Sequence, residues 1–433
     1  MHDPTTVFLA ARGLSADAVD VDATLARLRH EMACGLAGKP LSLPMIPAYI
    51  GIDRPVPVDK PVVVLDAGGT NLRAALVSFD ASGKPRMEKF TKVPMPGAEG
   101  AHATAKAFYD TLAELLAPLL PLADGIGFCF SYPAETTPEC DARLMCWTKN
   151  IDIPEMVGTL VGEGLANALK AAGLGEKRIT LLNDTVATLL AGKSAGIARR
   201  YSNYVGLILG TGSNTAYVAP HSTILKVPGL AAGGAMAINV ESGGFAGIPQ
   251  TEFDRAFDTT TTNPGAYTFE KMIAGAYLGG VGRAVFQAAA REGFFSPPAA
   301  RALLACESLP NKDFDEFCAN PFTSFGALAH MPFTDGDRRA AMALGRPVFE
   351  RAALLAAVNI AAAVLQTGDG EDPLHPVAVT IDGSTYYRTK AVNLKSLVEQ
   401  HVRGILGRRK IHFELLQVED APVIGAAVAG LTR

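Results

Sequence analysis

Apolar positions along the chain follow two patterns, and each pattern predicts one kind of element. Short runs of β-branched and aliphatic residues predict strands over 62–65, 72–79, 87–93, 125–132, 179–182, 204–209, 215–219, 377–381 and 410–415. Apolar residues at every third or fourth position predict helices within the first 40 residues, over 101–120, 184–195 and 269–292, and at the alanine-rich C-terminal end. Strands that alternate with helices in this way indicate an α/β fold.

One strand–turn–strand pattern occurs twice, over 62–79 and again over 204–219. In both units the turn is rich in glycine and threonine. The match is loose, because the second turn is one residue longer than the first. A repeated unit of this kind predicts two related lobes that face a shared cleft.

Composition and charge narrow the classes of function. A chain of 433 residues predicts about two or three domains, and 48% hydrophobic with 19% charged residues predicts a folded protein. A net charge of −4 offers no basic surface for nucleic acid or an anionic membrane. The longest apolar tract, 352–365, is interrupted by Asn359 and is shorter than the roughly 20 residues of a membrane-spanning helix. We therefore expect a buried core helix and no membrane partner.

Cysteines and histidines carry no pattern of a built-in metal or disulfide site. The six cysteines form no C-x-x-C pair, and the eight histidines form no H-E-x-x-H motif. The N-terminus shows no basic segment followed by a long apolar stretch, so we expect no secretory signal. These features predict reduced thiols in the cytoplasm. Any metal ion would have to arrive with a substrate.

The turn over 66–71 is the first candidate for phosphate binding. Two glycines after a buried strand let backbone N–H groups approach a phosphate closely, because no Cβ intervenes. A threonine adds a hydroxyl donor, Arg73 adds a positive charge, and Asp66 is suited to hold a water on a phosphate-bound Mg²⁺. Taken alone, the turn fits an ordinary hairpin equally well. The candidate residues of this turn are Asp66, Gly68, Gly69, Thr70 and Asn71.

Two further turns of the same type follow predicted strands. One contains Gly210, Thr211 and Gly212, and the other contains Gly383 and Ser384. Three such turns are much less expected by chance than one. Together they resemble the two phosphate loops and the adenosine loop of the sugar kinase, Hsp70 and actin superfamily.

Within that superfamily, the sequence resembles the hexokinase family in segments that span most of the chain in the family's order. Residues 62–77 (VVVLDAGGTNLRAALV) look like the first phosphate loop, and residues 128–151 look like the signature with its Ser-Phe-Pro and Trp-Thr-Lys parts. Residues 182–186 and 209–214 resemble the Asn-Asp-Thr-Val and Gly-Thr-Gly-Asn stretches. The segments around Glu241 and Glu270 resemble the two sugar-binding glutamate segments.

The resemblance implies a role for each matching residue. Asp184 would be the catalytic base that accepts the proton of the sugar hydroxyl as it attacks the γ-phosphoryl group. Lys149 and Arg73 would supply positive charge to the same step. The hexose would be held by hydrogen bonds from hydroxyl, amide, carboxylate and ammonium groups. The implied hexose-binding residues are Ser131, Thr148, Lys149, Asn183, Asp184, Asn214, Glu241 and Glu270.

Simpler interpretations of single residues stay open. Asn183 and Asp184 are also typical of a helix N-cap, and the two roles are compatible. Glu270 fits an exposed helix face, and Ser131 fits a turn. The whole set of residues in the family's order favours the kinase interpretation more strongly than any single residue does.

The sequence departs from the family pattern in three places. After Glu241 it reads Ser-Gly-Gly-Phe, where the family usually has Trp-Gly-Ala-Phe. Glu135 stands where a glutamine is common. The segment 419–425 lacks the usual Gly-Ser-Gly-Lys, although Pro422 suits a helix start. These differences affect the expectation of which sugars are accepted and the expected structure of part of the adenosine pocket.

The resemblance implies two ribonuclease-H-like lobes around a central cleft, the actin-like ATPase fold. We expect a small lobe over 58–182, a large lobe over 1–57 and 183–417, and a C-terminal helix over 418–433 that returns to the small lobe. The implied function is ATP- and Mg²⁺-dependent phosphorylation of a hexose, glucose first and then mannose or fructose, at its 6-hydroxyl for glycolysis. A monomer or homodimer is expected. The alternatives are a catalytically weak hexose sensor and a kinase of another sugar or amino sugar.

Overall fold

The computed structural model describes residues 3–69, 71–98, 103–148, 151–195 and 199–433. The strands among these residues are β1 (Ile46–Pro47), β2 (Val62–Ala67), β3 (Asn71–Phe79), β4 (Pro85–Pro94), β5 (Gly125–Phe130), β6 (Ala134–Thr136), β7 (Ala142–Leu144), β8 (Arg178–Leu182), β9 (Asn203–Leu209), β10 (Ser213–Pro220), β11 (Ala235–Asn239), β12 (Val377–Asp382) and β13 (Phe413–Leu416). The α-helices are α1 (Pro4–Ala10), α2 (Val21–Leu36), α3 (Ala105–Leu116), α4 (Val161–Ala171), α5 (Asp184–Ala195), α6 (Glu252–Asp258), α7 (Thr268–Ile273), α8 (Leu278–Arg291), α9 (Pro297–Leu304), α10 (Asn311–Ala319), α11 (Asp335–Thr367), α12 (Ser384–Arg388), α13 (Leu394–Gly407) and α14 (Ala421–Thr432).

Two sheets share one strand order. The first runs β4-β3-β2-β5-β8, with β4, β3 and β2 antiparallel and β2, β5 and β8 parallel. The second repeats this order and these directions as β11-β10-β9-β12-β13, with the two-residue strand β1 added beside β11. The two turn-bearing units of the predicted repeat, β2–β3 and β9–β10, occupy equivalent positions. The predicted α/β class with two ribonuclease-H-like sheets is thereby confirmed.

The parallel strands determine where the turns meet. β2, β5 and β8 run in one direction, so the segments that follow all three leave the same edge of the first sheet. β9 and β12 likewise bring the turns after Leu209 and Asp382 to one edge of the second sheet. In open α/β sheets this carboxyl edge is the usual place for a ligand.

Two helices connect the sheets. α5 packs on β9, β10 and β12 of the second sheet, α14 packs on β2, β5 and β8 of the first, and the two helices pack against each other. Their approach is close, because a Cβ added at Gly425 would lie 1.7 Å from the carbonyl oxygen of Ala187. A Cβ at Gly127 of β5 would lie 1.9 Å from the carbonyl oxygen of Ala426. The domain bounds 58–182, 183–417 and 418–433 stay predictions.

The apolar tract 352–365 lies in α11, as the sequence predicts for a core helix. α11 is longer than the tract: it begins with a capping box at Thr334 and ends before Gly368 in the left-handed conformation. By length and composition the helix could cross a membrane. However, 89% of its most apolar 18-residue window is buried inside the protein, as in the core helix of a folded domain.

The predicted helix over 269–292 is wrong as one element. It is broken into α7 and α8 by the residues after Ile273, because Gly275 N–H donates to the carbonyl of Gly210 and Ala276 N–H donates to that of Thr211. These hydrogen bonds replace the helical ones and attach the break to the second glycine turn. The helix predicted over 101–120 is shorter than expected, since Thr104 caps α3 by accepting a hydrogen bond from Ala107 N.

Candidate active site

One cavity of about 490 Å³ holds most of the predicted hexose-binding residues. It opens where the segments after β2, β5, β8 and β9 meet. From the predicted hexose set it is lined by Ser131, Asn183, Asp184, Asn214, Glu241 and Glu270. From the predicted phosphate set it is lined by Gly69, Thr211 and Gly212.

Asp184 is the first residue of α5 and follows β8 directly. Asn183 accepts a hydrogen bond from Thr185 N at 2.8 Å, and Asp184 Oδ1 accepts one from the Thr185 hydroxyl at 3.2 Å. Asn183 therefore caps the helix start, while the Asp184 carboxylate lines the cavity. The positive end of the helix dipole favours a negative charge at this position. The capping interpretation and the catalytic one are compatible here.

Two amide side chains hold the carboxylate of Glu241. Asn239 Nδ2 donates to Glu241 Oε1 at 2.8 Å, and Asn214 Nδ2 donates to the same oxygen at 3.0 Å. Asn214 Nδ2 also lies 2.8 Å from Asn239 Oδ1. One carboxylate oxygen is thus held by the protein, which fixes the direction in which the other one points.

The surroundings of Glu241 raise its pKa above the usual value for a glutamate. Burial is the largest cause, and the nearby carboxylates of Asp184 and Glu270 add to it, while the hydrogen bonds from Asn239 and Asn214 act in the opposite direction. Three carboxylates on one cavity wall offer many acceptors for vicinal hydroxyl groups, and a sugar has many such donors.

Glu270 lies in the first turn of α7 and reaches the second glycine turn. It accepts a hydrogen bond from Ser213 N at 2.8 Å and one from the Tyr277 hydroxyl at 3.1 Å. A Cβ at Gly212 would lie 2.7 Å from Glu270 Oε2, so a larger residue there would displace the Glu270 carboxylate. The exposed-face interpretation of Glu270 does not fit these contacts.

The first turn combines a buried carboxylate with a nearby cation. Asp66, at the end of β2, is 5% exposed, and its Oδ2 lies 3.6 Å from Arg73 Nη1 on β3. The turn is held by the Tyr132 hydroxyl, which donates to the Gly68 carbonyl at 2.6 Å. A buried carboxylate beside a glycine turn fits a water-mediated contact to Mg²⁺. Among the described residues, no group of three or more His, Cys, Asp or Glu side chains could hold a metal by itself.

The second and third turns are joined. The Gly210 carbonyl accepts hydrogen bonds from Thr385 Oγ1 at 2.7 Å and from Gly275 N at 2.8 Å. Gly383 has a φ of +124°, and a Cβ there would lie 2.3 Å from the Leu209 carbonyl. Only glycine suits this contact, which brings the predicted adenosine turn against the second phosphate turn.

Two more cavities continue from this junction. One of about 690 Å³ is lined by Thr211, Ser384, Asn311 and Lys390 among others. The other, of about 720 Å³, is lined by Gly383, Ser384, Asp382, Glu419 and Asp420 among others. Burial raises the pKa of Asp382, and the carboxylates of Asp184 and Asp420 raise it further. Thr211 lines both the hexose cavity and the first of these, and Ser384 lines both of the additional cavities, so the three cavities are neighbours.

Trp147 and Thr148 do not line this cavity. Trp147 donates from Nε1 to the Ile153 carbonyl at 2.8 Å and packs edge-on against Tyr132, with ring centroids 4.8 Å apart. Thr148 is exposed and does not line the cavity. Lys149 and Thr70 lie outside the described residues, so their predicted roles stay predictions.

Several residues of the cavity wall are absent from the predicted set. Tyr132 and Ser213 are chain neighbours of the predicted residues Ser131 and Asn214. Their position in the sequence is the only signal that could have identified them. Tyr267 lies close to both Glu241 and Glu270. It precedes Glu270 by three positions and belongs to no motif of the sequence. Asn239, which holds Glu241, was visible only as part of the matching segment.

Comparison with known proteins gives consistent matches. Two models described as hexokinase match residues 10–194 and 204–432. The chain is similar to hexokinase-1 of Oryza sativa subsp. japonica, at 34% identity over 279 residues, which are 60% of this chain and 55% of the rice protein. The chain thus spans about half the length of the first plant relatives it matches. It is also similar to hexokinase-2 of Schizosaccharomyces pombe, at 29% identity over 90% of this chain and 88% of the yeast protein.

A solved structure is similar over nearly the whole length. The structure of the hexokinase from Schistosoma mansoni complexed with glucose superposes with a TM-score of 0.79 at 26% identity. The superposition covers 98% of this chain and 97% of the Schistosoma chain. The family resemblance predicted from the sequence is thereby confirmed.

Proposed function

Because this chain belongs to the hexokinase family, we propose that it transfers the γ-phosphoryl group of ATP to the 6-hydroxyl of a hexose. The products are hexose 6-phosphate and ADP. One observation carries the proposal: Asp184, Glu241 and Glu270 line one cavity together with residues of both phosphate turns, Gly69 and Thr211.

Asp184 acts as the base. The hexose 6-oxygen attacks the γ-phosphorus, the bond from that phosphorus to the β–γ bridging oxygen breaks, and the hydroxyl proton passes to the Asp184 carboxylate. Phosphoryl transfer depends mostly on positioning and charge, so orienting the hydroxyl matters as much as accepting its proton. The capped start of α5 supports this role, because it fixes the backbone of Asp184.

The hexose hydroxyls are held by Ser131, Asn183, Asn214, Glu241 and Glu270. Their position on one wall, with one hydroxyl, two amides and two carboxylates, supports a ligand that carries several adjacent hydroxyl groups. Thr148 and Lys149 join this set when the lobes close over the sugar. Closure would also exclude the water that competes with the sugar as acceptor.

The nucleotide lies along the three turns. Thr70, Thr211 and the neighbouring glycines hold the phosphates through backbone N–H groups and hydroxyls, and Gly383 and Ser384 contact the nucleoside. Asp66 holds a water of the Mg²⁺ that arrives with ATP, and Arg73 adds positive charge. The Mg²⁺ neutralises charge on the phosphate oxygens. The junction between the second and third turns supports this path.

We further propose glucose as the first substrate, with mannose and fructose accepted, a role in glycolysis, and a cytoplasmic monomer or homodimer. The Schistosoma structure, which is similar over almost all of this chain, is described as a complex with glucose. All six cysteines are free, which supports a reducing compartment.

The test is sugar-dependent release of ADP by the wild type and by Asp184→Asn, with Mg-ATP and each of glucose, mannose, fructose and glucosamine. We expect the variant to lose about 10²- to 10⁴-fold in kcat, the usual contribution of a general base. Hexose affinity should be largely kept, since asparagine still offers an oxygen acceptor. Residual turnover within tenfold of the wild type, roughly 1.4 kcal/mol of barrier, would contradict the role of Asp184.

The same assay separates the alternatives. A wild type that binds hexose without turnover would be a sensor, and one that prefers glucosamine or another sugar would be a related kinase. The departure after Glu241, where Ser242 replaces the usual tryptophan, concerns the sugar range and makes this comparison across sugars necessary.

A further inference from the structure

A buried polar cluster lies directly behind the hexose-binding wall. Asn359, in the middle of α11, donates from Nδ2 to Thr215 Oγ1 at 2.8 Å and to Ser242 Oγ at 3.2 Å. Ser242 Oγ in turn donates to Thr215 Oγ1 at 3.1 Å. Thr215 and Ser242 are fully buried and Asn359 is 2% exposed. We call these three residues the Asn359 cluster.

Two members of the cluster are the chain neighbours of hexose-binding residues. Thr215 follows Asn214, and Ser242 follows Glu241. The backbone is tied in the same region, because Asn214 Oδ1 accepts hydrogen bonds from Thr215 N at 2.7 Å and from Ser242 N at 3.3 Å. A shift of either hydroxyl would therefore move the neighbouring sugar ligand.

The backbone conformation of Glu241 needs support from its surroundings. Its φ is +56°, in the left-handed region that a residue with a long side chain rarely adopts. A conformation of this kind persists only where the surroundings hold it. Before Glu241, Val240 N donates to the Thr215 carbonyl of β10, and after Glu241 the Asn359 cluster adds side-chain hydrogen bonds at Ser242.

A purely structural role explains the cluster less well. Asn359 interrupts an otherwise apolar stretch of α11, and asparagine is a poorer helix former than leucine or alanine. Apolar groups of the same shape in place of such a cluster can be nearly neutral or stabilising.

We propose that Asn359 is a positioning residue for hexose binding. Through Thr215 and Ser242 it holds Asn214 and Glu241 in the geometry that receives the sugar. This inference rests on the proposed hexose phosphorylation and adds to it a residue that does not itself touch the sugar.

The test compares Asn359→Leu, Ser242→Ala and the double variant. We expect the hexose KM of Asn359→Leu to rise about tenfold, as for the loss of one or two positioned hydrogen bonds, with the KM for ATP unchanged and the Tm equal or higher. The combined effect of the double variant should be smaller than the sum of the two single effects, because both changes remove the hydrogen bond between Asn359 and Ser242. The matched control is Thr367→Val, which removes a buried hydroxyl of α11 that bonds only the Val364 carbonyl and Asp369 N and should leave the hexose KM unchanged.

Two results would overturn the inference. One is an unchanged hexose KM in a stable Asn359→Leu protein. The other is a parallel loss of Tm and of affinity for both substrates, which would mean a structural role only. If the wild type binds hexose without turnover, the proposed kinase activity is contradicted. The hexose Kd of each variant relative to the wild type, measured by calorimetry, then takes the place of the KM ratio and still decides the role of Asn359. A wild type with neither turnover nor hexose binding contradicts both proposals.

Discussion

At the residue scale, the carboxylates of Asp184, Glu241 and Glu270 determine the electrostatics of the cavity. Each is held differently: Asp184 by a helix start, Glu241 by two amides and Glu270 by a backbone N–H and a tyrosine hydroxyl. The pKa of Glu241 is raised, with burial as its largest cause. The ionised form of this carboxyl group is therefore less favourable in the folded protein than in the unfolded chain.

The Glu241→Gln variant tests whether the ionised carboxylate of Glu241 lowers the stability of the folded protein. A carboxyl group with a raised pKa in the folded state favours folding at low pH, and this contribution is lost as pH rises through the folded-state value. We therefore expect Glu241→Gln to have a higher Tm than the wild type near neutral pH. The difference should shrink as the pH falls towards about 4, the ordinary range of a glutamate.

The measurement is a series of thermal unfolding curves between about pH 4 and pH 8, with Glu114→Gln on α3 as the control for an exposed glutamate. The control should show no such trend. A Tm difference for Glu241→Gln that is independent of pH would mean that its charge is not the cause.

The sequence identifies a residue well when a motif contains it, and poorly when the residue acts through contacts with distant parts of the chain. Asp184 and Glu270 follow from their segments. Asn359 was noticed only as an interruption of an apolar tract, because its partners lie 144 and 117 positions away in the chain. No local pattern can carry that information.

At the element scale, α5 and α14 form a close helix–helix contact. Gly425 allows it, since a Cβ there would meet the Ala187 carbonyl at 1.7 Å. The two helices each cover one sheet, so this contact is also the connection between the two sheets.

Gly425→Ala should therefore destabilise the protein, by about 1–3 kcal/mol as for other overpacked contacts. The matched control is Gly404→Ala in α13, an exposed helical glycine with nothing within 4 Å of a new Cβ. That change should stabilise by about 0.5–1 kcal/mol, the usual gain of alanine over glycine in a helix. Urea unfolding measures the free energy of unfolding of both variants. A change of the same sign in both, relative to the wild type, would contradict the packing argument.

Elements were predicted with very different success. α5 was predicted over 184–195 and is found there, and β3 was predicted over 72–79 and begins one residue earlier. The sequence does not predict the break between α7 and α8, because a single glycine, Gly275, is often tolerated in a helix. The hydrogen bonds to Gly210 and Thr211 that accompany the break come from a distant segment.

At the scale of the whole molecule, the hexose-binding set draws on segments that follow strands of both sheets. Ser131 follows β5 of the first sheet, and Asn214 belongs to β10 of the second. Thr148 is exposed away from the cavity, while Trp147 beside it is packed on Tyr132. A sugar that contacts the whole predicted set would have to draw the two sheets together.

Closure predicts two coupled signals on addition of glucose. The radius of gyration should fall, and the fluorescence of Trp147, the single tryptophan of the chain, should change at the same glucose concentration. Glu270→Ala, which removes a hexose-binding carboxylate, should shift both transitions to higher glucose. An unchanged scattering profile at saturating sugar would contradict closure, even if the fluorescence responds.

The sequence by itself determined the α/β class, the repeated strand–turn–strand unit and the family, because strand patterns, glycine turns and motif order are local properties of the chain. Only the tertiary structure decided which of the candidate residues meet. It brings six of the predicted hexose-binding residues to one cavity, breaks a helix at the second glycine turn and joins Asn359 to the hexose-binding wall. These arrangements depend on contacts between distant segments, whose free energy is gained only when the two sheets and their connecting helices pack together.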